Sequence, residues 1–244
     1  MVPGLVRPTQ QARGRIMTAR DHFMGGISRA LGRAETPAAV PRFTWRHSVH
    51  TDVMKDWSPD ELARAFIEYG KTIGIGFYET TREELNGTIL TAVGECGAGQ
   101  VIVANDPLLS EVGTADALEK TRKVRVWKTE DSEENNIRFA EKAAVGIAVA
   151  KMALSESATV LLFSHEGCGR SVTLLPESAI YIIPKSRIRP RLTQGMQFLR
   201  QKKERLPSSV NFVSGPSATS DIELVRVVGV HGPVHVIHIV VNDM

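Results

Sequence analysis

Along the chain, apolar residues recur first at helical spacing and then in alternating helical and strand-like runs. From Thr18, the positions Met24, Ile27 and Leu31 fall at i, i+3 and i+7. Thr18 with Asp21 forms a capping-box pair and Gly32 supplies a stop, so a helix is predicted here. Gly25 and Gly26 weaken it by about 1 kcal/mol each relative to alanine. Residues 35–56 show no period, and Pro37 and Pro41 among mixed aromatics predict an extended arm over the core. Ser58-Pro59-Asp60-Glu61 is the strongest helix start in the chain: a hydroxyl N-cap, proline at the first helical position and glutamate at the third. Leu62, Phe66 and Tyr69 share a face of that helix, and Gly70 is its expected end.

Beyond it the pattern alternates. Strands are predicted over 73–78, 101–104 and 124–127, with helices over 81–93, 115–120 and 133–142; Leu85, Ile89 and Val93 are in register on the first of these. After Lys142 the texture turns strand-rich, over 144–150, 159–163 and 179–183. A helix over 190–203 follows, with Leu192, Met196 and Leu199 as its inner face, and then strands over 211–213 and 234–241 that are expected to complete the sheet. Strands separated by helices of this length imply crossovers and a largely parallel, buried sheet with helices on both faces, an α/β fold. No internal repeat or low-complexity segment interrupts it.

Length and composition narrow the class. The 244 residues, 42% hydrophobic and 23% charged, suit an ordinary globular protein. The two cysteines, Cys96 and Cys168, cannot supply the four ligands of an iron-sulfur cluster, nor a disulfide framework, and a reducing cytoplasm is the expected compartment. No apolar run reaches the roughly 18 to 20 residues of a membrane span; the run 143–154 is broken by Lys151. Residues 1–15 are arginine-rich and acid-poor but lack the apolar segment of a secretory signal, and residues 1–16 read as a disordered extension, with Met17 as the better start. The net charge of +3 is local in origin: eight Lys or Arg lie between Lys185 and Arg205 against Glu204 alone. Such a run is either a solvated helix face or a site for an anion or acidic partner; nucleic acid is disfavoured because only Phe198 interleaves with the charges.

Candidate chemistry gathers in a few loops. Gly74-Ile75-Gly76 fails the dinucleotide fingerprint because Glu79 stands at its last glycine, and no phosphate-loop Lys-Ser/Thr is present. His235 and His238 are three apart in a strand and face opposite sides, so no metal site is expected there. Glu156, between two apolar segments, is either a general base or nucleophile or the cap of a tight turn. In the turn HEGCGR, 165–170, Gly167 and Gly169 can expose backbone amides and Arg170 offers a fork for a carboxylate or phosphate. Arg187, Arg189 and Arg191 precede a helix start, where anions are favoured. The run 214–233, SGPSATSDIELVRVVGVHGP, holds the donors an anion loop needs in Ser217, Thr219 and Ser220, with Asp221, Glu223, His231 and Gly232 beside them. Its bland reading is a hydroxyl-capped turn, with His231 bonding a nearby carbonyl.

The order SESATVLLF, GCGR, LLP, IPKSRI, SGPSATSDIE, GVHGP, with the start MTARDHFMGGISRALGR, resembles the LutC/YkgG-type, lactate utilization protein C group of the LUD-domain family, over residues 17–241. The resemblance implies a three-layer α/β/α fold similar to the sugar-phosphate isomerase and CoA-transferase group (NagB/RpiA/CoA-transferase-like), with a domain over 58–244 preceded by a helix and arm over 17–57. It implies an accessory subunit of L-lactate oxidation to pyruvate, acting with two iron-sulfur proteins and with no cofactor of its own, whose role is assembly, stabilisation, or binding of a small carboxylate or other anion; the candidate residues for such a site are Arg170, Arg187, Ser217, Thr219, Asp221, Glu223, His231 and Gly232. The alternative is a stand-alone isomerase or acyl/CoA-transferase-like enzyme using Glu156; a ligand-sensing protein is a third. Two departures from the family pattern are Ala158, where a glycine is usual, and Ala218, where Arg or Lys is common.

Overall fold

A computed structural model describes residues 18–34, 44, 46–202, 206–221 and 224–244. The chain forms two compact units, divided between His47 and Ser48. The described part of the first is helix α1 (Ala19–Ala30), whose start is the expected capping box: the Thr18 amide donates to Asp21 Oδ2 at 3.0 Å, and the Asp21 amide to Thr18 Oγ1 at 3.2 Å. The extension over 1–16 and residues 35–43 and 45 of the expected arm lie outside the described residues, and the described part of that arm is not extended throughout, since Val49–Asp52 is helical.

The second unit begins with α2 (Val49–Asp52) and α3 (Pro59–Thr72), and alternates as β1 (Ile75–Thr80), α4 (Leu85–Glu95), β2 (Gln100–Val103), α5 (Pro107–Glu111), α6 (Thr114–Glu119), β3 (Val124–Val126), α7 (Glu133–Glu141) and β4 (Ala143–Val149). Then come β5 (Met152–Leu154), β6 (Thr159–Phe163), α8 (Ser171–Leu174), β7 (Ser178–Pro184), β8 (Ile188–Arg189), α9 (Leu192–Gln201), β9 (Val210–Val213), β10 (Ala218–Thr219), β11 (Val227–Val228) and β12 (His235–Val241). Six strands make the central sheet in the order β1-β12-β7-β4-β2-β3, every pair parallel. β7 is buried at every position and β4 at all but one, which is why both read as unbroken apolar runs.

Phe77, His238, Tyr181 and Ala148 lie opposite one another across four strands, so they share one face. α3 packs there through Phe66, whose burial stabilises by about 2 to 3 kcal/mol and whose ring stacks on His238 at 5.3 Å. α8 covers Gly146 on that same face so closely that a Cβ would overlap the Val172 carbonyl. On the opposite face α4 packs on β1 and β12, and α6 on β3 and α4. The two helix layers and the sheet are the three layers of the fold.

Several expectations are corrected. β6 and β9 do not extend the central sheet. They pair with each other, and with β5 and β8, in a second sheet ordered β8-β5-β6-β9. The reason lies in the link from β4 to β5: only Ala150 and Lys151 separate them, too few for a crossover, so the chain leaves the parallel sheet and turns back as a hairpin. The helix α3 does not end at Gly70 but runs on to Thr72. Gly70 is buried on its inner face beneath the Phe77 ring, and Tyr69 points outward. On α9, Leu192 and Met196 are each 53% exposed; the side turned inward is Gly195, with Phe198 and Leu199 packing on Met152, Leu154 and Leu161.

Candidate anion-binding cleft

From β2 the chain moves to β3 at one edge of the sheet. It then returns past β2 to β4 and continues through β7 and β12 in the opposite direction. The order therefore reverses between β2 and β4, and a crevice opens beyond their carboxyl ends, the place where open α/β sheets take ligands. A cleft of about 1180 Å³ lies there. Asn105 and Asp106 enter it from the end of β2, Trp127 from β3, Lys151 from β4, and the turn 165–170 from the end of β6.

Asp106 is fixed by its own helix. It is the N-cap of α5, with Pro107 at the first helical position, and its Oδ1 accepts from the Leu108 amide at 3.1 Å. Its Oδ2 is left facing Lys151 Nζ at 3.4 Å. The carboxylate anchors the lysine, whose ammonium keeps further donors for the cleft.

The turn after β6 is a small hairpin. His165 and Cys168 exchange backbone bonds of 3.0 and 2.8 Å, and the Gly167 amide donates to His165 Nδ1 at 3.1 Å. The Asn105 amide donates to the Gly167 carbonyl at 2.7 Å. The glycines have a packing cause: a Cβ on Gly167 would run into the Asn105 carbonyl, and one on Gly169 into the Trp127 ring. This differs from the expectation that they expose free amides, since that of Gly167 is already used. Burial pushes the Cys168 thiol up to about 12, so it is no nucleophile at neutral pH. Partial desolvation of an otherwise exposed ring, and then the Lys151 cation, lower the His165 imidazole, with Asp106 opposing, so it is neutral at pH 7.

Arg170 follows the turn, exposed, and its guanidinium makes no hydrogen bond or ion pair among the described residues. Asn136 of α7 borders the cleft; its Nδ2 donates to the Lys128 carbonyl at 2.7 Å while its buried Oδ1 has no partner among the described residues. Lys151, His165 and Arg170 thus supply two cations and a neutral donor, a set suited to carboxylate or phosphate oxygens.

Of the described residues expected from the sequence to form a site, the structure places Arg170 in this cleft and the others elsewhere. Glu156 sits in a 3-10 turn, Ser155–Ser157, gripped by Arg191, whose Nε donates to Oε2 at 2.7 Å and whose Nη2 lies 2.6 Å from Oε1. Arg187 Nη1 donates to the Ala150 carbonyl at 2.8 Å. Lys185 pairs with Asp60 at 2.7 Å and Arg189 donates to the Ser186 and Ile188 carbonyls, so these members of the basic run serve local structure. The run 214–233 folds into the ribbon β10-β11. The Ser217 amide donates to the Pro233 carbonyl and the Asp221 amide to Thr219 Oγ1. His231 and Gly232 border a separate cleft of about 630 Å³ with Gly99, Ala143 and Glu177, at the amino ends of the strands and so at the end of the sheet opposite to Arg170. The expected convergence of Arg170 with the hydroxyl loop does not occur. Glu223 lies outside the described residues.

Asp106, Lys151 and Asn136 were not singled out from the sequence, and His165 only as part of its turn. A signal existed for two of them: a lysine directly after eight apolar residues, and Asn-Asp-Pro directly after a buried strand, are polar groups at strand ends of a parallel sheet.

Comparison with known proteins agrees with this architecture. A DUF162 family protein from Deinococcus radiodurans has the same fold, with a TM-score of 0.56 at 23% identity over 76% of this chain and 99% of that one. Lactate utilization protein C of Geobacillus thermodenitrificans is 39% identical over 92% of this chain and 96% of its own length. Lactate utilization protein C of Bacillus subtilis is 36% identical over the same shares. The family model for the LUD domain matches residues 63–241, and the chain belongs to the LUD-domain family.

Proposed function

We propose that this chain is a subunit of a cytoplasmic system that oxidises L-lactate to pyruvate, and that its cleft binds a small carboxylate. Two iron-sulfur proteins would carry the electrons, because two cysteines in this chain fall short of a cluster's four ligands. The observation that carries the reading is the meeting of Lys151 and Arg170 in the switch-point cleft of a chain whose relatives are named for lactate utilization. No catalytic step is assigned to the chain itself: Glu156, the candidate base, is occupied by Arg191 outside the cleft. In this reading the chain docks or senses the acid while its partners do the redox chemistry.

The test is anaerobic purification of the tagged chain from its native cells, with iron analysis and lactate-dependent dye reduction on the eluate. Iron, two cysteine-rich partners and lactate oxidation are expected. A solitary, iron-free protein without lactate activity would overturn the subunit reading. Calorimetric titration of the chain with pyruvate tests the cleft separately, and Arg170→Ala is expected to weaken binding by roughly tenfold, the loss of one charge-assisted hydrogen bond.

A further inference from the structure

Resting on the cleft as a carboxylate site, we infer that His165 is its fixed neutral donor: it presents Nε2–H to an oxygen on the carbon next to the carboxylate, which selects a 2-oxo acid over a plain carboxylic acid. The Gly167 amide donates to His165 Nδ1 at 3.1 Å. A ring nitrogen that accepts a hydrogen bond carries its lone pair there, so the single proton of the neutral imidazole is on Nε2.

The donor amide has no freedom to turn away. The Gly167 carbonyl is held by the Asn105 amide at 2.7 Å, and the Gly167 α-carbon lies against the Asn105 carbonyl with no room for a side chain. A second proton on the ring would set N–H against N–H. The charges around the ring, Lys151 from the end of β4, Asp106 from the end of β2, and Glu166 and Arg170 from its own turn, leave partial desolvation and Lys151 as the leading influences, and both oppose an imidazolium. His165 therefore cannot serve as a general base through Nε2 in this arrangement. It can only donate.

Lys151, His165 and Arg170 are then all donors. They match a ligand whose oxygens all accept, two on a carboxylate and one on an adjacent carbonyl, which is the pattern of a 2-oxo acid. A hydroxyl oxygen at the same position would also accept from Nε2–H, its own proton having Asn136 Oδ1 on the cleft wall as an acceptor, so the acid that His165 rejects is one with no oxygen on that carbon.

The experiment compares pyruvate with propionate, which lacks the carbonyl, by calorimetry on the full chain and on two variants. His165→Asn keeps an acceptor for the Gly167 amide, since asparagine bonds the amide two residues on, but lacks the distal donor. His165→Gln extends an amide toward the Nε2 position. The parent is expected to favour pyruvate by about fivefold, one neutral hydrogen bond, with affinity flat from pH 8 to pH 7. His165→Asn should lose that preference while still binding both acids, with an unfolding temperature matching the parent's, and His165→Gln should keep it. A preference intact in His165→Asn, or a pyruvate affinity that climbs as pH falls from 8 to 7, would overturn the role of His165 alone. If the parent binds neither acid, the carboxylate reading of the cleft falls and this inference with it.

Discussion

His238 lies in the middle of a parallel sheet, fully buried, between the rings of Phe66, Phe77 and Tyr181, and neither of its nitrogens has a hydrogen-bond partner among the described residues. Burial pushes its imidazole down to about 3. The folded chain thus holds it neutral, whereas the unfolded chain binds a proton below the ordinary value near 6.5. The stability it supports is present above pH 6.5 and is lost as pH falls from there toward 3, at up to ~1.4 kcal/mol per pH unit. Replacing it with leucine, close in volume, removes both the titration and the unpaired nitrogens. His238→Leu is therefore expected to unfold at a higher temperature than the parent, with a gap that widens from pH 7 to pH 4 in parallel melts. At this scale the sequence was partly readable. The strand periodicity put His235 and His238 on opposite faces, but an aromatic box assembled from α3, β1, β7 and β12 depends on long-range register that no local pattern encodes.

At the scale of elements, glycines in helices test whether propensity or packing decides. Gly94 of α4 is exposed and a Cβ there would meet nothing within 4 Å, so Gly94→Ala should stabilise by up to about 1 kcal/mol. Gly70 of α3 has the same helical backbone, yet a Cβ would enter the Phe77 ring, and overpacking of about 1 to 3 kcal/mol outweighs the propensity gain. Denaturant melts of the two variants should move in opposite directions. The same competition explains which elements the sequence made legible. The Ser58 to Glu61 cap sets the start of α3 through local bonds and was readable; its end was not, because Gly70 answers to a ring on another strand. On α9 the three apolar residues at helical spacing suggested one inner face, but the small second sheet offers cover only to part of the helix, and Leu192 and Met196 are left outside.

For the whole molecule, an all-parallel sheet has two chemically different ends. The carboxyl end holds Asp106, Lys151 and Arg170, and the amino end holds His231 and Gly232. His231→Ala should leave pyruvate binding unchanged in the titration that Arg170→Ala weakens; equal losses would show that the ends are coupled. The family and the parallel sheet were legible from motif order and alternation, and Arg170 was among the candidates that the motifs raised. The cleft was not, since it exists only once the strand order reverses between β2 and β4, and residues 45 positions apart, Asp106 and Lys151, come within 3.4 Å. Composition pointed instead to the hydroxyl-rich run near the C-terminus, which is tied together by the Ser217 and Gly229 backbone amides and by the Thr219 hydroxyl.

The two-residue passage from β4 to β5 has a mechanical side. The Ala150 amide donates to Ile182 in the central sheet, and the next amide, that of Lys151, donates to Leu161 in the small one, each at 2.9 Å, while Arg187 clasps the carbonyl between them. Two successive peptide units rivet both plates of the molecule together, and the head of that rivet is the ammonium group reaching into the cleft. A ligand that grips Lys151 would tighten the joint itself. Amide hydrogen exchange followed residue by residue should therefore slow at 150 and 151 together on adding pyruvate, with the delay spreading along β6 as well as β7.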